Sequence, residues 1–201
     1  GYFNIQNRVS GWVMDVKDFS RVNGGMIHAW SLVSNFQNQQ WSLLPVEDKE
    51  DASGAPPTPE PTPSPVGAAA PPSGRCVRLL SNNNNNTDDG NNASLQIVNR
   101  LSKKGLRVGS DSLQAGAPIL QWTPTMANNS SLPVDRWRLE ESSSRVDNDN
   151  NVYYHIVSQN SNLALTMQDE TITRGARIVQ QQPDPNDHNS DYFDWCLVPH
   201  G

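Results

Sequence analysis

The strongest constraint on this chain is an internal repetition. Three segments carry one skeleton of apolar positions: Ile5, Val13, Ile27, Trp41 and Leu43; then Ile97, Leu106, Ile119, Trp137 and Leu139; then Ile156, Leu163, Ile178, Trp195 and Leu197. The first two positions are 8, 9 and 7 residues apart, the next two 14, 13 and 15, and the step to Trp is 14, 18 and 17. The length variation is therefore expected in one loop. Every segment ends Trp-x-Leu, and alternation puts its Trp and Leu on one face, as in a strand. Turn residues separate the short runs (Ser10-Gly11, Asn23-Gly24-Gly25, Gly116, Asn160-Ser161-Asn162, Arg174-Gly175), and no segment sustains a helical period. A unit of about four short strands cannot bury its apolar face alone, so repetition implies mutual burial. The prediction is an all-β fold of three four-stranded repeats around a pseudo-threefold axis, with the three Trp lining a barrel-like core.

The repeats occupy residues 2–45, 93–140 and 152–199 of a single domain, and residues 46–92 interrupt them. Eight of the 15 Pro lie between Val46 and Gly74, and repeated Pro removes backbone donors and fixes φ. An Asn run, Asn82 to Asn86, follows. The interruption reads as a disordered Pro/Asn-rich insertion with a short strand-like run, Cys76 to Leu80. As a Pro-rich docking site it lacks flanking Arg in register. Without it 154 residues remain, a size suited to one such domain, and it carries 3 basic and 7 acidic residues of a chain whose net charge is −6.

Composition excludes several classes. No apolar stretch approaches the roughly 18–20 residues of a membrane span, so membrane insertion is not expected. The acidic balance argues against nucleic-acid binding, which needs clustered Lys and Arg. No basic and apolar leader opens the chain, so a secretory signal reads as absent or removed, leaving a cytoplasmic or secreted location open. Nucleotide-binding, zinc-protease and serine-hydrolase motifs are missing, so neither an enzyme nor a cofactor is expected.

The first repeat carries the signature Trp12-Val13-Met14-Asp15-Val16, Gly25-Met26-Ile27-His28-Ala29-Trp30 and Asn38-Gln39-Gln40-Trp41. With its threefold recurrence, this resembles the ricin-B-type (Gln-x-Trp) β-trefoil lectins, small fungal lectins among them. The resemblance implies a site for galactose- or GalNAc-type glycans. Such a sugar offers an apolar C–H face and vicinal hydroxyls, so its site needs an aromatic plate, a carboxylate and amides. At the family's positions Asp15 is the hydroxyl-accepting carboxylate, Trp30 the stacking plate and Asn38 the amide to a ring hydroxyl. Gln39 is a support for Asp15 or the ligand, and His28 a polar contact. In the second repeat the matching positions read as Val108, Val134 and Asp135 with Trp122 kept, a structural residue or a weak subsite. In the third they read as Leu165, Gln181, Tyr192 and Phe193. One functional site per chain is expected, with weak monovalent affinity near millimolar, so a homodimer or a tethered domain would supply avidity. The resemblance also suggests defence of a fungal producer against animals that feed on it.

Other features are weaker. Cys196 sits at the outward x of its Trp-x-Leu; with Cys76 it reads as two free thiols or as a disulfide, and spacing leaves both open. The oxygen-rich stretch from Asp184 to Asp191 lacks calcium-loop spacing and reads as a solvated loop, so no metal site is expected. Asn85, Asn92, Asn128 and Asn129 head glycosylation sequons that matter only in a secreted chain. Two alternatives to a free-standing lectin are a protease inhibitor acting through exposed loops, such as Thr123–Pro133, and the glycan-targeting module of a larger enzyme or toxin.

Overall fold

The computed structural model describes residues 1–46, 75–78, 93–127, 130–142, 151–183 and 190–200. The first repeat holds β1 (Tyr2–Asn7), β2 (Val13–Val16), β3 (Gly25–Trp30) and β4 (Trp41–Pro45). The second holds β5 (Leu95–Asn99), β6 (Gly105–Val108), β7 (Ile119–Trp122) and, after a small hairpin of β8 (Met126–Ala127) and β9 (Ser130–Ser131), β10 (Trp137–Glu141). The third holds β11 (Tyr154–Ser158), β12 (Ala164–Met167), β13 (Ile178–Gln181) and β14 (Trp195–His200). First and fourth strands close a barrel through the antiparallel pairs β1–β14, β14–β11, β11–β10, β10–β5, β5–β4 and β4–β1. Second and third strands form three hairpins that meet one another at Met26↔Leu120, Pro118↔Val179 and His28↔Arg177. This closed threefold arrangement is a β-trefoil. Among the described residues no helix is long and apolar enough to cross a membrane.

The core repeats as the strands do. Trp41, Trp137 and Trp195 are fully buried. Each indole Nε1 donates to a carbonyl of its own repeat: Met14 at 3.1 Å, Leu106 at 3.0 Å and Leu165 at 2.9 Å. A buried Trp needs such a partner, because an unpaired N–H would offset part of its burial. Two layers of three Ile (Ile5, Ile97, Ile156 and Ile27, Ile119, Ile178) pack against these rings. Between hairpins, Gln121 Nε2 donates to Ser20 O and Val22 O, and Gln180 Nε2 donates to Ser112 O and Gln114 O. These bonds satisfy turn carbonyls that the ladders leave free.

The strand register corrects one expectation. Val16 faces Ile27, Val108 faces Ile119 and Met167 faces Ile178. The second skeleton position is therefore Met14, Leu106 and Leu165, not Val13 and Leu163, and the first two spacings become 9 and 13 in every repeat. The counterparts of Asp15 are Arg107 and Thr166, not Val108 and Leu165. All four residues of β2 and of β12 are buried. Hydrophobicity along them does not separate the two faces, and a one-residue slip goes unseen.

Of the inserted segment, Val46 and residues 75–78 are described; the disorder expected for it, the Asn run and Leu79–Leu80 lie outside the described residues. Cys76 and Cys196 form a disulfide with Cα atoms 5.3 Å apart. Val77 N–H donates to Leu197 O at 2.9 Å, and its side chain packs on the core. Cys196, expected to face outward, is covered and 2% exposed. No strand forms at residues 75–78. The Asn that head the four sequons and most of the stretch from Asp184 to Asp191 also lie outside the described residues, apart from the backbone of Ser190 and from Asp191, which pairs with Arg8. A disulfide that closes so long a loop restricts the unfolded chain, typically by about 2–4 kcal/mol. Replacing both Cys76 and Cys196 by Ala is expected to lower stability by about that amount in denaturant titrations. An unchanged midpoint would mean that Val77 and its neighbours hold this contact without the bond.

Candidate functional site

Three of the five expected side chains converge on a fourth, the Asp15 carboxylate. Asp15 faces His28 across the β2–β3 hairpin, and Asn38 and Gln39 lie on the single 3-10 turn that leads into Trp41. His28 Nε2 lies 2.9 Å from Asp15 Oδ1, and Asn38 Nδ2 and Gln39 Nε2 each donate to Oδ2 at 2.9 Å. Gln39 is locked by its own bonds: Oε1 accepts from Val33 N–H, and Nε2 donates again to Ser31 O, both at 2.9 Å. Asp15 is 4% exposed; a carboxylate so buried needs such donors. It offers about four acceptor positions, so three protein donors leave room for a hydroxyl. Asn38 Oδ1 is buried without a partner, a second acceptor at the same place.

Above this floor is a cleft of about 360 Å³ lined by Asp15, Lys17, Asp18, Phe19, His28, Trp30, Phe36, Asn38 and Gly175, within the usual range for small-molecule sites. Trp30 is half-buried; its ring lies parallel to His28, with centroids 5.1 Å apart, and the Arg174 guanidinium lies 4.7 Å from its centroid. Arg174 and Gly175 come from the turn of the third repeat, so the cleft lies between repeats. Phe19 and Phe36 were not anticipated. They meet edge to face at 5.1 Å and are 49% and 38% exposed. Asp18 and Phe19 have φ of 56° and 52°, the left-handed region, as do Ser110 with Asp111 and Asp169 with Glu170 in the other repeats. Such a conformation costs a non-glycine residue roughly 1–2 kcal/mol, and a bulky Phe there is exceptional.

The other copies differ in chemistry. Arg107 stands in the place of Asp15 and Asp135 in that of Gln39. Arg107 Nη2 donates to Asp111 Oδ2 at 2.6 Å and Nη1 to Thr125 Oγ1 at 3.0 Å, with Asp135 Oδ1 3.7 Å away. The Asp111 carboxylate holds the Arg107 guanidinium above its ordinary pKa, and Arg107 holds Asp111 below the usual carboxylate range. The cleft there is about 120 Å³. An Arg donates and never accepts, so Trp122, 39% exposed, stands without a hydroxyl-accepting carboxylate in the Asp15 place. In the third repeat Thr166, Val179 and Gln181 replace Asp15, His28 and Trp30, and Thr166 Oγ1 donates to Tyr192 O at 3.2 Å. Among the described residues no three His, Cys, Asp or Glu side chains gather as a metal site requires.

The family model for ricin-type β-trefoil lectin-like domains matches residues 80–181, and the chain belongs to that family. The matched stretch spans the second repeat and the first three strands of the third. Among solved structures, the designed threefold-symmetric protein ThreeFoil is 22% identical, with 98% of each chain covered and a TM-score of 0.63. An exo-β-1,3-galactanase of Clostridium thermocellum is 20% identical, with 98% of this chain and 30% of that chain covered, at 0.61. The Macrolepiota procera ricin B-like lectin, solved with lactose, is 11% identical, with 98% and 94% covered, at 0.54. At these identities the likeness is one of fold. No curated protein matches the chain.

Burial pushes the Asp135 carboxyl above its ordinary value; the Thr125 amide and Arg107 pull it partly back. A carboxyl raised in the folded state favours folding below its unfolded pKa, and that contribution is lost as pH rises through the folded value. Asp135→Asn is therefore expected to gain thermal stability relative to the parent as pH rises from about 3 to about 7. A melting-temperature difference independent of pH would contradict this.

Proposed function

We propose that the chain is a carbohydrate-binding lectin that takes galactose- or GalNAc-type glycans at the hairpin cleft of its first repeat. The observation that carries this reading is the Asp15 carboxylate, gripped by His28, Asn38 and Gln39 at the foot of a cleft walled by Trp30. The remaining acceptor capacity of Asp15 and the free Asn38 Oδ1 take vicinal hydroxyls, while Trp30 takes the apolar face of the ring. Gln39 and His28 orient the carboxylate, whose direction decides which hydroxyl pair is accepted. Family membership supports carbohydrate binding, and the replacement of Asp15 by Arg107 and Thr166 elsewhere supports one site per chain. The chemistry needs no cofactor and no bond-breaking group.

Affinity for a single sugar is then weak, and a homodimer or a tethered domain supplies avidity. A second reading keeps the same site on a glycan-targeting module of a larger protein; the match to only 30% of the Clostridium galactanase supports it.

A glycan array followed by calorimetric titration with wild type and Asp15→Ala tests the proposal. Wild type is expected to bind galactose- or GalNAc-terminated glycans, and the variant to bind them at least about tenfold more weakly, as befits a lost charged acceptor. Undiminished binding by Asp15→Ala would place recognition elsewhere.

A further inference from the structure

Phe19 and Phe36 call for an explanation that neither packing nor the sugar floor supplies. Both line the cleft over Asp15, yet both remain substantially exposed, so they form its rim. Their rings meet edge to face and present a combined apolar surface to the opening. Phe19 holds its place in a left-handed turn whose counterparts are the polar Asp111 and Glu170. A conformation that disfavours a large side chain, kept together with exposure of that side chain, points to a use for its surface.

The chemistry of the sugar says what meets this rim. In a pyranose the anomeric carbon lies across the ring from C4. When vicinal hydroxyls at C3 and C4 are held by Asp15 and Asn38 at the foot of the cleft, the anomeric carbon faces the mouth. Whatever it carries passes over Phe19 and Phe36. We infer that this pair is a second stacking plate, which receives the apolar face of the ring linked to the anomeric carbon of a bound galactoside. The protein would then read a terminal galactoside together with its aglycone, either a second sugar or an aromatic group. This inference rests on the galactoside reading of the first-repeat site. An edge-to-face contact covers the face of only one of the two rings, and the exposed phenyl surface that remains suits stacking by a C–H face or an aromatic ring.

The test compares methyl and phenyl galactosides of the same anomer by calorimetry. Wild type is expected to bind the phenyl glycoside about three- to tenfold more tightly than the methyl one, a gain typical of one aromatic stack. Phe36→Ala and Phe19→Gly are each expected to bring that ratio below about twofold. Phe19→Gly is also expected to keep or raise the melting temperature, because glycine adopts the left-handed turn without strain. A merely structural Phe19 would instead give a lower melting temperature and an unchanged ratio, which would overturn the inference. Equal binding of the two glycosides by wild type would overturn it alone. Failure of wild type to bind either glycoside would overturn the galactoside reading and this inference with it.

Discussion

The bond from each core indole to a hairpin carbonyl organises the molecule. Trp41, Trp137 and Trp195 lie on the fourth strands, and Met14, Leu106 and Leu165 on the second strands of the same repeats. One buried donor in each repeat thus ties the barrel wall to the hairpin that caps it. The ring fills the core while the N–H sets the hairpin's height and tilt. A 3-10 turn stands just before each Trp, at Gln37–Gln39, Pro133–Asp135 and Ser190–Phe193. In the first repeat this places Asn38 and Gln39, three and two residues before Trp41, against Asp15, one residue after Met14. The candidate site is built on the core bond, not on a mobile loop.

With that scaffold repeated three times, the copies are free to diverge where the core does not constrain them. The first repeat keeps a carboxylate with three donors. The second replaces the pair Asp15 and Gln39 by Arg107 and Asp135, and Arg107 is taken up by Asp111, with Asp135 beyond it at 3.7 Å. The third has Thr166, Val179 and Gln181 in the places of Asp15, His28 and Trp30. The same backbone positions can therefore hold a ligand, close on themselves or simply pack, depending on whether acceptor capacity is left over. In the first copy, unused acceptor capacity on Asp15 and on Asn38 Oδ1 borders the cleft.

Much of this was legible in the residues. Recurrence of Ile, Ile and Trp-x-Leu was enough for three four-stranded units, because each position is buried for the same reason in all three. Asp15, His28, Asn38 and Gln39 could be grouped because one hairpin and one turn bring them together within a single repeat. The second skeleton position was not legible: in β2 and β12 both faces are buried, so Val13 and Leu163 mimicked Met14 and Leu165, and the counterparts of Asp15 were read one residue off. Phe19 and Phe36 gave no warning either, since an exposed Phe and a buried one look alike in a sequence.

The sequence by itself determined the fold class, the three core Trp and the composition of one polar cluster, because these follow from periodicity and short-range spacing. The tertiary structure decided the rest. It joined Cys76 to Cys196 across 120 residues, although spacing left free thiols equally open. It brought Arg174 and Gly175 of the third repeat over Trp30 of the first, and it put the two Phe rings at the rim of the cleft. Each of these depends on closure of the barrel, which brings distant turns to one place, and no local pattern in the chain records that closure.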